Sequence, residues 1–278
     1  RDFDNETNER RINTYVKETG GDGEFWRWIN QASRRHLPAD FVWADSDFAG
    51  YRLLIAAHPK MVDAELVERL TQFVRAGGTL MLSAQSGSKD RNCHLVEQPM
   101  PGLLRELAGV EIEDWTTLGK KESRDAELTG GGKIALDTFV ERVRCTGATA
   151  IAHWRTDDML LREAPAITRH TVGRGSVFYV GGYCPTAAVD GLLDHLQESL
   201  KLSPIAQADS EVEVIERVSP SARYTIVLNH SPTVRRVRAL PAGREMLADR
   251  PVTSEGLSLD PYAVAIVSAP AAAVAAGS

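Results

Sequence analysis

The sequence predicts a three-layer α/β domain built on a mainly parallel sheet, followed by a small antiparallel β domain. Residues 51–57 and 79–83 are uninterrupted apolar runs, as expected for strands that are buried on both faces. A segment with helical spacing of its apolar residues, 62–76, lies between the two runs. After Pro204 the apolar residues fall into short alternating runs separated by turns, which is typical of an antiparallel sheet.

The first elements follow from local patterns. Phe25, Trp26, Ile29 and Ala32 recur at helical spacing, and Pro38 ends this helix. The helix opens the α/β domain, for which we expect bounds of 25–204.

A strand–helix–strand unit comes next, after a short predicted strand at 41–43. The helix over 62–76 places its larger apolar side chains on one face, and the glycines at 77–78 supply its C-terminal cap. Two buried strands joined by such a helix pair in parallel through a right-handed crossover. This unit is the basis of the predicted α/β class.

The polar segment 84–100 leaves the carboxyl end of the second strand, the edge at which open α/β sheets bind ligands. It is longer than the roughly 4–6 residues of most connections. We expect an inter-subunit or cleft-lining surface here; the alternative is a passive, solvated excursion. The candidate residues are Gln85, Ser86, Asp90, Arg91, Asn92 and His94.

The remaining elements are shorter. Patterns predict a helix over 101–108, several strands within 110–165, a hairpin turn at 172–175, and a strand at 177–180. A last helix is expected from about 186 to 200. The antiparallel β domain is expected over 205–270.

Both ends of the chain are expected to lie outside these domains. The sequence starts at Arg1, with neither an initiator Met nor a signal peptide. We interpret residues 1–24 as a connection from an upstream domain that is missing from this chain. The Ala-rich residues 271–278 are interpreted as a disordered tail or an expression remnant.

The composition is that of a soluble globular protein. The chain has 278 residues, of which 43% are hydrophobic and 25% charged, so it is not disordered, fibrous or a disulfide scaffold. A net charge of −6 argues against a nucleic-acid-binding surface. No run approaches the roughly 20 apolar residues of a membrane span. We therefore expect neither nucleic acid nor a membrane as a partner.

The cysteines and histidines show no metal-ligand spacing. Cys93, Cys145 and Cys184 are odd in number and widely spaced, which fits reduced thiols in a cytoplasmic protein better than disulfides or a zinc site. The seven histidines include no His-x-x-x-His pair. No glycine pattern matches a dinucleotide or phosphate loop. The sequence therefore predicts no cofactor and no metal.

Two residues could act as nucleophiles, and for each a structural role is the stronger interpretation. Ser86 precedes Gly87, but a nucleophile elbow needs a glycine on both sides of the serine, so Ser86 is expected to be an ordinary loop residue. Cys184 precedes a helix whose dipole could lower its pKa. A buried or capping thiol is the favoured interpretation there. Cys93 and His94 are adjacent in sequence, which does not make them a reactive pair.

Longer stretches carry a family resemblance. Residues 51–56, 70–74, 77–80, 86–87 and 90, and then 96–112 almost without a gap, resemble the trimerisation domain of family 42 β-galactosidases. Residues 2–6 and 10–13 look like the tail of that domain's first strand and the loop after it.

The second half fits the same family. Residues 212–214, 224–231 and 259–264 resemble its small C-terminal β domain. The resemblance therefore covers nearly the whole chain.

The resemblance implies an amidotransferase-like (flavodoxin-like) domain that assembles homotrimers and walls the neighbour's active-site cleft. In the family, two glutamates of an upstream (β/α)8 barrel perform retaining hydrolysis of terminal β-D-galactosides. Nothing in this chain corresponds to that barrel, and Asn5-Glu6 is not carried over as its acid/base motif. The chain is therefore expected to be non-catalytic by itself, with its own copies, the barrel and a galactoside as partners.

One alternative stays open at this stage. The chain could be a free-standing amidotransferase-like binding module or enzyme. A Cys or Ser at a nucleophile elbow would favour that alternative, and its absence from the sequence favours the accessory region of a β-galactosidase.

Overall fold

The computed structural model describes residues 22–271. The described chain forms two compact units. The first consists of residues 22–27 and 41–192, and the second of residues 28–40 and 193–271. Most of the expected connection at 1–24, the pair Asn5-Glu6 and nearly all of the tail at 271–278 lie outside the described residues.

Four α-helices are present in the described residues, and a short 3-10 turn (Gly102–Leu104) leads into the third. They are α1 (Asp22–Arg34), α2 (Ala64–Arg75), α3 (Arg105–Ala108) and α4 (Thr186–Ser199). All four were predicted, with bounds that differ by a few residues. The main difference is in α1, which begins at Asp22 and buries Glu24, Trp28 and Ala32. Trp26, expected on the apolar face, is 43% exposed instead.

The predicted strand–helix–strand unit is confirmed. Strand β1 (Leu53–Ala56) pairs in parallel with β2 (Thr79–Ser83). Between them, α2 starts at the N-cap Asp63, whose carboxylate accepts the Leu66 N–H at 2.9 Å. Gly78 follows the helix because a Cβ atom there would lie 2.3 Å from the Phe73 ring.

The first unit contains a nine-stranded sheet with the order β1-β2-β8-β7-β6-β4-β5-β3 and with β9 paired to β5. The remaining strands are β3 (Val110–Thr117), β4 (Ser123–Leu128), β5 (Lys133–Cys145), β6 (Thr149–Arg155), β7 (Pro165–Val172), β8 (Gly175–Val180) and β9 (Gly182–Tyr183). Only β1, β2 and β8 run in parallel. The other pairs are antiparallel, so the sheet is more antiparallel than expected. The short connections within 110–175 are the reason, since parallel strands need long crossovers.

The core of this unit lies between α2, α3 and the sheet. It includes the fully buried Val74, Leu80, Leu82 and Val177. The strand predicted at 41–43 is absent, because Val42 packs against this core as a single residue while its two neighbours remain exposed.

The second unit is antiparallel throughout its strands, as predicted. A five-stranded sheet has the order β10-β11-β16-β13-β14, and β12 pairs with β15. The strands are β10 (Val212–Val218), β11 (Ala222–Asn229), β12 (Arg235–Val237), β13 (Gly243–Glu245), β14 (Arg250–Val252), β15 (Leu257–Leu259) and β16 (Val264–Pro270). Val227, Val237 and Val267 are fully buried in its core. In the described residues, no helix is long and apolar enough to span a membrane.

Candidate functional site

Polar side chains gather where the three parallel strands of the first unit end. We name this group the edge cluster; it consists of Glu24, His58, Ser83, Gln85, Glu141, Tyr179, Tyr183 and Cys184. His58 comes two residues after β1, Ser83 ends β2, and Tyr179 lies near the end of β8. Ligands of α/β sheets usually bind at this edge, so the edge cluster is a candidate binding or catalytic site.

Glu141 is a carboxyl group of the cluster whose pKa is strongly raised. Its Oε1 accepts the Gln85 backbone N–H at 2.8 Å, and its Oε2 accepts the Tyr179 hydroxyl at 2.7 Å. Complete burial raises the pKa of Glu141 from 4.5 to about 7, although both hydrogen bonds and the nearby His58 act to lower it. The side chain therefore titrates near neutral pH without contacting solvent.

A second buried pair lies beside it. Glu24 Oε2 is 2.9 Å from His58 Nε2 and also accepts the Cys184 N–H at 2.7 Å. His58 Nδ1 faces the Ala84 carbonyl oxygen at 2.8 Å, and the ring packs against that of Tyr183 at a tilt of 32°, with centroids 3.6 Å apart. Because a carbonyl can only accept, Nδ1 carries a hydrogen, and one further proton bridges Nε2 and the Glu24 carboxylate.

Ser83, His58 and Glu24 have the composition of a hydrolase triad but not its chemistry. Ser83 Oγ lies 3.3 Å from His58 Nδ1 and accepts the His58 backbone N–H at 2.9 Å. A catalytic histidine must take the proton of the serine, and Nδ1 cannot do so while it donates to the Ala84 carbonyl. All three side chains are also buried. The arrangement is a buried hydrogen-bonded network that does not activate Ser83 as a nucleophile.

The turn after β2 also lacks a nucleophile. Gln85 adopts a positive φ of 67° there, and its side-chain Oε1 accepts the Tyr183 hydroxyl at 2.9 Å. Ser86 is buried, and its hydroxyl donates to the Ser83 carbonyl at 2.5 Å. The interpretation of Ser86 as an ordinary loop residue agrees with this geometry. The amidotransferase-like enzyme alternative has no nucleophile at this turn.

Cys184 is buried, as predicted from the sequence. Burial, together with the nearby carboxylates of Glu24 and Asp137, raises its pKa well above 9. Its carbonyl accepts a hydrogen bond from Arg27 at 2.8 Å. The thiol is therefore kept protonated and unreactive.

The segment 88–96 forms a pinned hairpin at the same edge. Its backbone joins Ser88 to Val96 at 3.1 Å and Lys89 to the Lys60 carbonyl at 2.9 Å. At the tip, Asp90 Oδ1 accepts the backbone N–H groups of Asn92 and His94 at 2.8 and 2.9 Å. The segment is thus held in place by backbone hydrogen bonds.

Arg91 ties the hairpin to the start of α2. Its guanidinium lies 2.7 Å from Asp63 Oδ2. The Leu66 N–H and then Arg91 hold the pKa of Asp63 below its usual value. Arg91 therefore has a structural role, although its side chain is exposed.

The six predicted site residues separate into two groups. Gln85, a member of the edge cluster, and the buried Ser86 lie in the turn after β2. Asp90 and Arg91 organise the hairpin, and Asn92 and His94 are exposed at its tip. In the described part of the chain, no group of three or more metal-ligating side chains is assembled.

Comparison with known proteins decides the family. The sequence model described as the β-galactosidase trimerisation domain matches residues 7–203, and that of the β-galactosidase C-terminal domain matches 211–269. The chain belongs to the family 42 β-galactosidases. The resemblance noted in the sequence is thereby confirmed.

Individual relatives cover the chain but extend far beyond it. A β-galactosidase of a Geobacillus species is 31% identical over 209 residues, which are 73% of this chain and 30% of that protein. A β-galactosidase of Heyndrickxia coagulans is 26% identical over 91% of this chain and 37% of its own length. The chain thus spans about a third of the relatives that it matches.

Solved structures confirm the fold class. A β-galactosidase from Bacillus circulans sp. alkalophilus superposes with a TM-score of 0.83 at 23% identity, covering 89% of this chain and 37% of that one. A GH42 β-galactosidase from G. stearothermophilus gives a TM-score of 0.79 at 24% identity, with coverages of 89% and 36%.

Sequence reasoning missed most of the edge cluster. Glu24, His58 and Tyr179 carry no motif and come from distant parts of the chain. Glu141 had one usable signal, since alternation along its strand places it on the same face as the apolar Phe139 and Val143. A carboxylate at such a position must find buried partners.

Proposed function

We propose that this chain is the accessory and oligomerisation region of a retaining β-galactosidase that cleaves terminal β-D-galactosides. Two observations support this proposal. The family models match residues 7–203 and 211–269, and the chain spans about a third of the length of its relatives. In the proposal the chain assembles a homotrimer in the cytoplasm. It uses no cofactor and is not catalytic by itself.

The chemistry of the edge cluster supports the proposal that this chain assembles the enzyme and does not itself catalyse hydrolysis. A retaining glycosidase needs two carboxyl groups on either side of an accessible sugar. Glu24 and Glu141 are fully buried, and each is held by donors of its own unit. In the proposal the catalytic pair belongs to an upstream (β/α)8 barrel, and the galactoside meets this chain only in the assembled enzyme.

The hairpin 88–96 is the proposed inter-subunit or cleft-lining surface. Its backbone pinning supports this role, because a surface that is already ordered loses little entropy on association. Proposed domain bounds are 25–204 for the assembly domain and 205–270 for the β domain.

Sedimentation equilibrium of the pure 278-residue chain tests the assembly role. We expect a mass near three times 30.4 kDa, together with no hydrolysis of a chromogenic β-galactoside. A mass of one chain at all concentrations would contradict the proposal. So would turnover that a substitution in this chain abolishes.

A further inference from the structure

An ordered group of aromatic side chains faces solvent on the first unit. The rings of Phe25, Trp26 and Phe41 contact one another, with centroid separations between 5.5 and 6.1 Å. Trp26 and Phe41 are 43% and 49% exposed, and Trp43, two residues further along, is 51% exposed. We name these four residues the aromatic patch.

The segment that carries the patch is held in place. Between its two exposed rings, Val42 packs against the hydrophobic core. The Trp43 N–H donates to Ser46 Oγ at 2.8 Å, and the Arg69 guanidinium donates to the carbonyls of Ala44 and Ser46. The exposed rings are therefore pre-organised, which lowers the entropic cost of docking.

The size of the patch fits the core of a protein interface. An aromatic side chain offers roughly 150–250 Å², so three that are about half exposed present on the order of 300 Å². That is less than half of the roughly 800 Å² that each partner buries in a stable complex. The patch alone would thus form the centre of such an interface, where Trp and other aromatic residues are enriched.

We propose that the aromatic patch is the core of the surface by which one copy of this chain docks onto the next. This inference rests on the proposed function, because all four residues lie within 7–203, the range that the trimerisation-domain model matches. A ring of three copies uses the same two unlike surfaces at each contact. The patch is then one of these surfaces and meets a different region of the neighbouring copy.

The test compares two variants of the 278-residue chain by sedimentation velocity over a concentration series. The patch variant is Trp26→Ser with Phe41→Ser, and the control is Met159→Ser, which removes an apolar side chain that is 89% exposed in the same unit. We expect the wild type and the control to sediment as trimers. The patch variant should dissociate with at least a tenfold weaker association constant.

Trp43→Ser provides a second variant, since the Trp43 ring contacts no other aromatic ring within residues 22–271. It should weaken association severalfold, with an unfolding midpoint equal to that of the wild type. Trimers of unchanged stability in both variants would overturn the inference and leave the proposed function standing. In that case the patch serves another partner, such as the remainder of a longer chain. A wild type that stays monomeric would overturn both.

Discussion

The Tyr179 hydroxyl donates a hydrogen bond to Glu141 Oε2 over 2.7 Å in a region that solvent does not reach. Two opposing effects meet in this pair. Burial favours the protonated carboxylic acid, whereas two donors, Tyr179 and the Gln85 N–H, favour the carboxylate. Burial is the larger effect. The consequence is a carboxyl group inside the sheet that responds to pH near neutrality.

Glu141 should make the stability of the first unit depend on pH. Its pKa is raised in the folded state, so its contribution is fully present below about 4.5 and is lost as the pH rises through about 7. The rise in pKa corresponds to about 3 kcal/mol. The isosteric Glu141→Gln variant should lack this dependence.

Urea unfolding of both proteins at several pH values measures the effect. Relative to the wild type, Glu141→Gln should gain up to about 3 kcal/mol in free energy of unfolding between pH 5 and pH 8. If the free energies of unfolding of the two proteins change with pH in parallel, Glu141 keeps one charge state over this pH range.

Gly78 should not tolerate a side chain. A Cβ atom there would lie 2.3 Å from the Phe73 ring, which belongs to the core. Gly78→Ala should therefore lower the free energy of unfolding by about 1–3 kcal/mol. Gly50→Ala is the matched control, because nothing lies within 4 Å of its added Cβ. Equal stability of the two variants would count against the packing described for α2.

The three thiols should differ in reactivity. Cys184 is fully buried and its pKa lies well above 9, whereas Cys93 and Cys145 are partly exposed. Alkylation of the native chain followed by peptide mass spectrometry should leave Cys184 unmodified until denaturant is added. Rapid labelling of Cys184 under native conditions would contradict its placement in the edge cluster.

Variants of the hairpin should affect self-association and stability separately. Asn92→Ala with His94→Ala removes exposed side chains and should weaken self-association without changing the unfolding midpoint. Asp90→Ala removes the acceptor of two backbone N–H groups and should cost about 1–2 kcal/mol of stability. Unaltered association in the tip variant would show that the hairpin is passive. Calorimetry and sedimentation on the same samples give both quantities.

Elements of this fold were predictable from the sequence where they depend on interactions between residues that are close along the chain. The unit β1–α2–β2 was predictable because its strands, cap and turn are set by neighbouring residues. The antiparallel β unit was predictable for the same reason.

The edge cluster and the aromatic patch were not predictable in this way. Glu24 lies beside His58 and Cys184 only because the fold brings together positions that are 34 and 160 residues apart. Trp26 looked like a core residue, yet the buried face of α1 starts at the polar Glu24 because Glu24 has hydrogen-bond partners inside. Spacing alone carries no information on such partners.

Native mass spectrometry of a mixture of labelled and unlabelled chains tests whether this chain self-associates into a homotrimer. Isotopically heavy and light chains would be combined, unfolded and refolded together, and then weighed as intact assemblies. A homotrimer predicts four mass species, each near three times 30.4 kDa and differing by one labelled chain. Two species of single-chain mass would contradict the account, and so would three species of double mass.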